Sequence, residues 1–322
     1  MPKTNDDGQA ALSRRAALRY AAAAGLVACE SRAPSTARTI MQPSIDTAAS
    51  ARRIELRTRG SRHGFIRRMV SPGDIGELIK PFIFLDHIAG ETRPGMGFPY
   101  HPHSGIATVS YVLDADGTYE DTTGKSGILR AGGVEWMMSG SGVWHRGGVV
   151  DGSSPRVTGF QLWVAMPPTH EEAEAESHYI APGEIPEVDG VRVLLGSYRG
   201  LRSPVPVPNP MTYLDVNLGP SQRWQHQPPE THDVAWVFVH QGTALVQGQA
   251  TTDTLVVFER GHGPLDIVAQ GGPARVLVGT AEHHPHPLVL GTSSVHTARA
   301  PLERSLRRIG ELGMDLRRRG LV

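Results

Sequence analysis

Two histidines one residue apart, His101 and His103, close the stretch Gly95-Met96-Gly97-Phe98-Pro99-Tyr100-His101-Pro102-His103. On an extended backbone side chains repeat every two residues, so both imidazoles point the same way and can share one metal ion. Further along, Gly132-Gly133-Val134-Glu135-Trp136-Met137-Met138-Ser139-Gly140-Ser141-Gly142-Val143-Trp144-His145 supplies a third histidine at the point where glycine-marked turns give way to a strand. The chemistry this pattern suggests is metal ligation by imidazole. No glycine-rich phosphate loop follows a strand and opens a helix. No nucleophile elbow of the GxSxG type is present.

Composition indicates what has to position these groups. The chain has 322 residues, enough for two domains by length alone. Its 37 Gly and 25 Pro, with only 39% apolar residues, fit short strands joined by tight turns and exclude a helix bundle. Lys and Arg number 32 and so do Asp and Glu, so no excess cation favours a nucleic acid partner. The single cysteine, Cys29, excludes an internal disulfide or a CxxC zinc site.

Strands are expected around residues 54–57, 82–85, 107–113 and 160–164, with Asp116-Gly117 read as a hairpin turn. A second β-rich block begins near Val191, with strands at 191–195, 213–218, 235–239, 243–246, 255–258 and 274–278. Residues 204–210, studded with proline, read as a connector. Glu171 to Ser177 reads as a short solvated helix or turn, with Glu171, Glu172, Glu174 and Glu176 on its wet face. Leu302, Leu306, Ile309, Leu312 and Leu316 have helical spacing and predict an amphipathic C-terminal helix.

The first fifty residues follow other rules. Arg14-Arg15 precede a short uncharged run that ends in Leu26-Val27-Ala28-Cys29. This resembles a twin-arginine export signal closing in a lipobox, with Cys29 as the acylated anchor. The run is too short to span a bilayer. The export route carries folded proteins, so a metal site could be filled before export, away from competing ions. Residues 30–50, rich in Ser, Thr, Ala and Pro, suit a flexible tether. The expected destination is the periplasm or cell envelope, or the cytoplasm if the segment is only a basic tail. Membrane contact is expected only through Cys29.

The two histidine segments resemble the paired motifs of the cupin superfamily and, more narrowly, the pirin family of bicupins. Residues 80–86, 98–111, 135–145 and 159–164 carry the resemblance in order and spacing. It implies an all-β fold of two tandem cupin (jelly-roll β-barrel) domains with a short C-terminal helix. The expected divisions are 1–50 signal and tether, 51–188 metal-binding cupin, 189–290 metal-free cupin, and 291–322 tail with the helix. It implies a divalent transition metal, Fe(II) first, with Mn, Ni, Co or Zn as alternatives, held by His101, His103 and His145.

Three departures stand out. The family's fourth ligand, a glutamate, falls at Gly147. Ala107 replaces a glutamate common in cupins, and Ser104 replaces an arginine usual in pirins. Without the carboxylate the ion keeps its full charge and gains an open position, or the site loses affinity. Asp86 and Glu135 are candidates to compensate, and restoring the ligand with Gly147→Glu is expected to tighten metal binding.

Other histidines are set aside. His283, His284 and His286 are placed in a surface loop by the family pattern, and Trp224-Gln225-His226 is a degenerate second copy of the HxH motif. His87, His170, His178, His232, His240, His262 and His296 are read as structural or exposed, and Trp136, Trp144 and Trp163 as core or pocket wall. Two functions remain open. One is a mononuclear dioxygenase of small aromatic or phenolic substrates, like the quercetin-cleaving pirins, with its catalytic residues unassigned. The other is a non-catalytic, metal-binding or redox-responsive module for a protein partner.

Overall fold

The computed structural model describes residues 51–322, so the segment read as an export signal and Cys29 lie outside the described residues. Three antiparallel sheets hold most of the strand residues. The first has seven strands in the order Glu176–Ile180, Val134–Met138, Ile106–Val112, Arg156–Ala165, Phe82–Glu91, Ile66–Val70 and Ser61–His63. A four-stranded sheet, Gly97–His103, Val143–Val149, Gly117–Asp121 and Ser126–Leu129, covers one of its faces. The third sheet has nine strands built mainly from Glu187–Val188 to Ala274–Ala281, and its edge is Ile54–Thr58 from the other end of the chain. This is the expected all-β pair of jelly rolls, followed by the helix Arg299–Arg318.

The seven-stranded sheet has two unlike faces. Cross-strand partners share a face, and the register pairs Leu162 with Leu85 and Val109, Phe160 with Tyr111, and Val109 with Trp136. These residues join Trp236, Phe238, Leu255 and Leu277 of the nine-stranded sheet in one buried cluster. The other face pairs Gln161 with Asp86 and Ser110, and Ser110 with Glu135. That polar face looks toward the four-stranded sheet. The interior of the second jelly roll is apolar, filled by Val193, Val216, Val237, Val256, Ile267 and Val276 among others.

Buried charge joins the two jelly rolls at Asp215. Asp215, 1% exposed, accepts from the Tyr111 hydroxyl at 2.5 Å and from Arg275 Nε at 2.9 Å. Arg192 Nη1 donates to the same Tyr111 oxygen at 2.8 Å. Burial, with Asp215 alongside, pushes the Tyr111 phenol well up.

Several local expectations are corrected. Asp116-Gly117 does not close a hairpin: Ile106–Val112 lies in the seven-stranded sheet and Gly117–Asp121 in the four-stranded one, so the turn carries the chain between sheets. Residues 235–246 form one irregular strand, Val234–Val246, because a register shift between Val239 and Thr243 bends it without ending it. Of the helix or turn expected over 171–177, the chain forms the turn before the strand Glu176–Ile180, but the solvated reading fails at Glu171. Glu171 is buried, since its carboxylate takes the Thr297 amide and hydroxyl at 2.6 and 2.8 Å. On the C-terminal helix Leu302, Ile309 and Leu316 are buried, but Leu306 is exposed because it falls outside their stripe.

Removing Asp215 leaves Tyr111 and Arg275 without their shared acceptor. Asp215→Ala is expected to lower stability by about 3 kcal/mol, read as a fall in the urea midpoint. An unchanged midpoint would mean that the network contributes nothing to the union of the two jelly rolls.

Candidate metal centre

His101 and His103 end the strand Gly97–His103, and His145 lies on its neighbour Val143–Val149. The register sets His145 directly opposite His101. Ring centroids are 4.4 Å apart for His101 and His145, and 5.0 Å for each with His103. One ligand nitrogen from each ring lies within 4.8 Å of the others, the only such cluster among the described residues. The three histidines singled out in the sequence are thus brought together.

Their hydrogen bonds decide which nitrogen faces the centre. A carbonyl oxygen can only accept, so His101 Nδ1 donates to the Pro99 carbonyl at 2.8 Å and His103 Nδ1 to that of Ser293 at 2.9 Å. Each ring then presents a bare Nε2. His103 Nε2 is buried with no partner, and His101 Nε2 lies 3.0 Å from His145 Nε2. Two adjacent ligands about 2.1 Å from one ion stand about 3 Å apart, which is the spacing found.

Desolvation by burial lowers the pKa of all three, His103 to about 3. For His103 and His145 the neighbouring histidines add to this. The rings are therefore neutral at physiological pH, the form a metal requires. The donor set and the orphaned nitrogen fit a divalent transition ion.

Gly147 follows a register shift after His145. A Cβ built there would meet the Thr118 carbonyl oxygen at 2.8 Å, and neighbouring Gly97 and Gly148 are equally close to backbone. Glycine at 147 therefore does more than remove a ligand: it lets strands pack closer than a side chain allows.

Inside, a cavity of about 120 Å³ opens between the two sheets. Phe65, Ile88, Phe98, Val112 and Phe160 line it, together with His101 and His145. Glu135 lines it too, 6% exposed, and burial raises its carboxyl to about 7, partly offset by the Ser110 and Tyr179 hydroxyls. Of the two carboxylates considered as substitutes, Asp86 is committed elsewhere. Arg68 Nε donates to it at 2.5 Å while the guanidinium covers the Phe84 ring at 3.9 Å. Glu135 has no cationic partner and faces the cavity.

Trp163 packs edge-on against His103, centroid to centroid 4.9 Å, and stacks on Phe84, and Trp136 is core. Trp224 is buried, donating to the Tyr198 hydroxyl at 2.9 Å, and stacks on His226, so the second copy of the motif is packed shut. His284 is 4% exposed, correcting its reading as surface, although it does lie in a loop. The Ser293 carbonyl was missed because a backbone contact from nearly two hundred residues away leaves no mark in composition. Ser110 and Glu135 were readable in part, since Thr108-Val109-Ser110-Tyr111 alternates.

A family model described as Pirin matches residues 65–164. A pirin-like protein of Arabidopsis thaliana is 32% identical over 225 residues, 65% of this chain and 71% of that one. A Pseudomonas aeruginosa protein provisionally described as a quercetin 2,3-dioxygenase is 31% identical over 251 residues, 73% of this chain and 87% of that one. Among solved structures, a quercetin 2,3-dioxygenase from Acinetobacter baumannii superposes with a TM-score of 0.75 at 22% identity, covering 81% of this chain and 98% of that one. At that identity the last match speaks for the fold alone.

Two outcomes are expected from this geometry. Glu135 has a folded-state pKa above its ordinary 4.5, so its ionisation removes stability as pH rises from about 4.5 to about 7. Metal-free Glu135→Gln should therefore gain up to about 3 kcal/mol over wild type at pH 8 and little at pH 4, measured by urea unfolding at both. Gly147→Glu overpacks against Thr118, so its metal-free melting temperature should fall, by about 1–3 kcal/mol of stability. Added metal should then raise that temperature more than in wild type. An unchanged metal-free melting temperature would show that the strands leave room.

Proposed function

Because the chain belongs to the pirin family, we propose that His101, His103 and His145 hold one divalent transition ion, Fe(II) first, and that the protein is a dioxygenase of small phenolic substrates. The observation that carries this reading is a cluster of three neutral imidazoles, two of which, His101 and His145, line a cavity that also holds a buried carboxyl with no cationic partner. The ion would supply Lewis acidity and a template for the substrate's oxygens.

The chain's own groups do the rest. Glu135, with its carboxyl near 7, takes the proton of a phenolic hydroxyl at neutral pH, the role left open by the missing glutamate at 147. Phe65 and Phe98 line the cavity with apolar rings, which shed water and favour an aromatic ring. A cavity of about 120 Å³ is smaller than the ~300 Å³ at the low end of ligand pockets. It admits one phenolic ring and leaves the remainder of a flavonol outside. The same strands border an open groove of about 640 Å³ lined by Met96, Phe98, Tyr119 and Arg146, where the remainder can lie. If the N-terminal segment acts as the export signal it resembles, this activity lies in the cell envelope.

The second reading, a non-catalytic metal-binding module, draws on one observation, glycine at 147. Purified protein should carry one metal per chain, and His145→Ala should lose it, as read by elemental analysis. Quercetin and simpler catechols should turn over with added Fe, Mn, Ni or Co. The rate should rise through about pH 7, and that rise should vanish in Glu135→Gln. Stoichiometric metal with no turnover by any ion would sink the enzyme and favour the binding module.

A further inference from the structure

The C-terminal segment 291–318 lies far in sequence from the histidine motifs, yet it touches both. Ser293 provides the carbonyl that holds His103 Nδ1. The next residue bridges to the motif: Ser104 and Ser294 pair through the backbone, and their hydroxyls meet at 2.8 Å. Val295 N donates to the Ser104 carbonyl at 3.2 Å. His296 Nε2 lies 3.0 Å from Ser104 Oγ, while its Nδ1 is 3.3 Å from Glu171 Oε2, too poorly aligned for a hydrogen bond. Glu171 then takes the Thr297 amide.

Gly105 makes this approach feasible. A Cβ there would stand 2.0 Å from the Val295 carbonyl oxygen. From the same segment, the helix Arg299–Arg318 reaches the other strand of the site. Trp144, the residue before His145, donates its indole N–H to the Ile309 carbonyl at 2.9 Å and lies over Gly313.

Serine, histidine and glutamate in this order have the composition of a hydrolytic triad. Ser104, His296 and Glu171 are 0%, 2% and 3% exposed, however, so no substrate reaches the hydroxyl. What the chain of contacts does accomplish is to fix the Ser293 carbonyl against His103. An outer partner on the second ring nitrogen fixes the tautomer and orientation of a ligating histidine.

We propose that segment 291–318 is a positioning part of the metal centre, clamping His103 through Ser293 and the Ser104–Ser294 pair and steadying the strand of His145 through Trp144. The proposal rests on the three-histidine site alone and is independent of any reaction. It also gives Ser104 a role: the small hydroxyl admits Ser294 and His296, where a long side chain would exclude them.

The test uses the full chain and Co(II) as the probe, with Ser104→Ala and Ser294→Ala as two separate variants and Val237→Ala, deep in the second jelly roll, as a stability control. Each serine variant is expected to lose about 10-fold in Co(II) affinity, the low end for outer partners of a metal ligand. Each should also shift the visible spectrum of the bound ion. In the metal-free protein, nitrogen-resolved NMR should show faster exchange of the His103 Nδ1 proton. Val237→Ala should melt earlier yet keep wild-type affinity and spectrum. If one serine variant fails to fold, the other decides. Wild-type affinity, spectrum and proton exchange in a folded serine variant would overturn the clamp. Failure of wild type to bind Co(II) would overturn the metal site and the clamp together.

Discussion

A β-strand must show its side chains alternately to two sides, and the seven-stranded sheet uses both for opposite purposes. Leu85, Val109, Tyr111, Trp136, Phe160 and Leu162 turn one way and merge with Trp236 and Phe238 of the nine-stranded sheet. Asp86, Ser110, Glu135 and Gln161 turn the other way, toward the histidines. Burying three imidazoles and a carboxyl costs free energy, visible in the lowered histidines and the raised Glu135. The apolar face offsets that cost. A one-residue slip of any central strand would exchange the two faces, so the shared core also guards the register on which the site depends.

The two jelly rolls therefore differ in what fills them. The second is packed with valine and isoleucine, and a tryptophan closes the place where its own HxH motif would lie. The first keeps a cavity, lined by apolar side chains such as Phe65, Ile88 and Val112 together with the polar Ser110, Glu135 and Gln161. The first jelly roll gives up packing to make room for the cavity beside the histidines. The second keeps its packing and braces the first, and this division of labour follows from a few residues rather than from the fold.

Much of this was legible from the chain. HxH on an extended backbone put two rings on one side, and the glycine-rich turn before His145 delivered the third. The alternation and Gly/Pro punctuation marked most strands, although short ones such as Arg223–His226 and Leu265–Ala269 were not separable from loop. Glu171 misled because its neighbours are acidic and wet, and only a tertiary contact with Thr297 explains its burial. Asp116-Gly117 misled because a turn's residue types describe local geometry and are silent on which sheet receives the next strand. Asp86 and Glu135 could not be ranked, since Arg68, which occupies the first, is its partner only once the strands pair.

The ends of the described chain are crossed. Ile54–Thr58, the first strand, completes the edge of the nine-stranded sheet by pairing with Gln249–Phe258, while residues 293–297 close over the first jelly roll. Such an arrangement sets an order on synthesis. A chain leaving the ribosome exposes His101, His103 and His145 early, but the carbonyl that orients His103 arrives only when residue 293 has emerged. The first strand likewise waits for residue 258 before it has a partner. The halves cannot mature one after the other, and a growing chain offers the metal only loosely held rings. Loading of a properly oriented site thus belongs to the finished polypeptide.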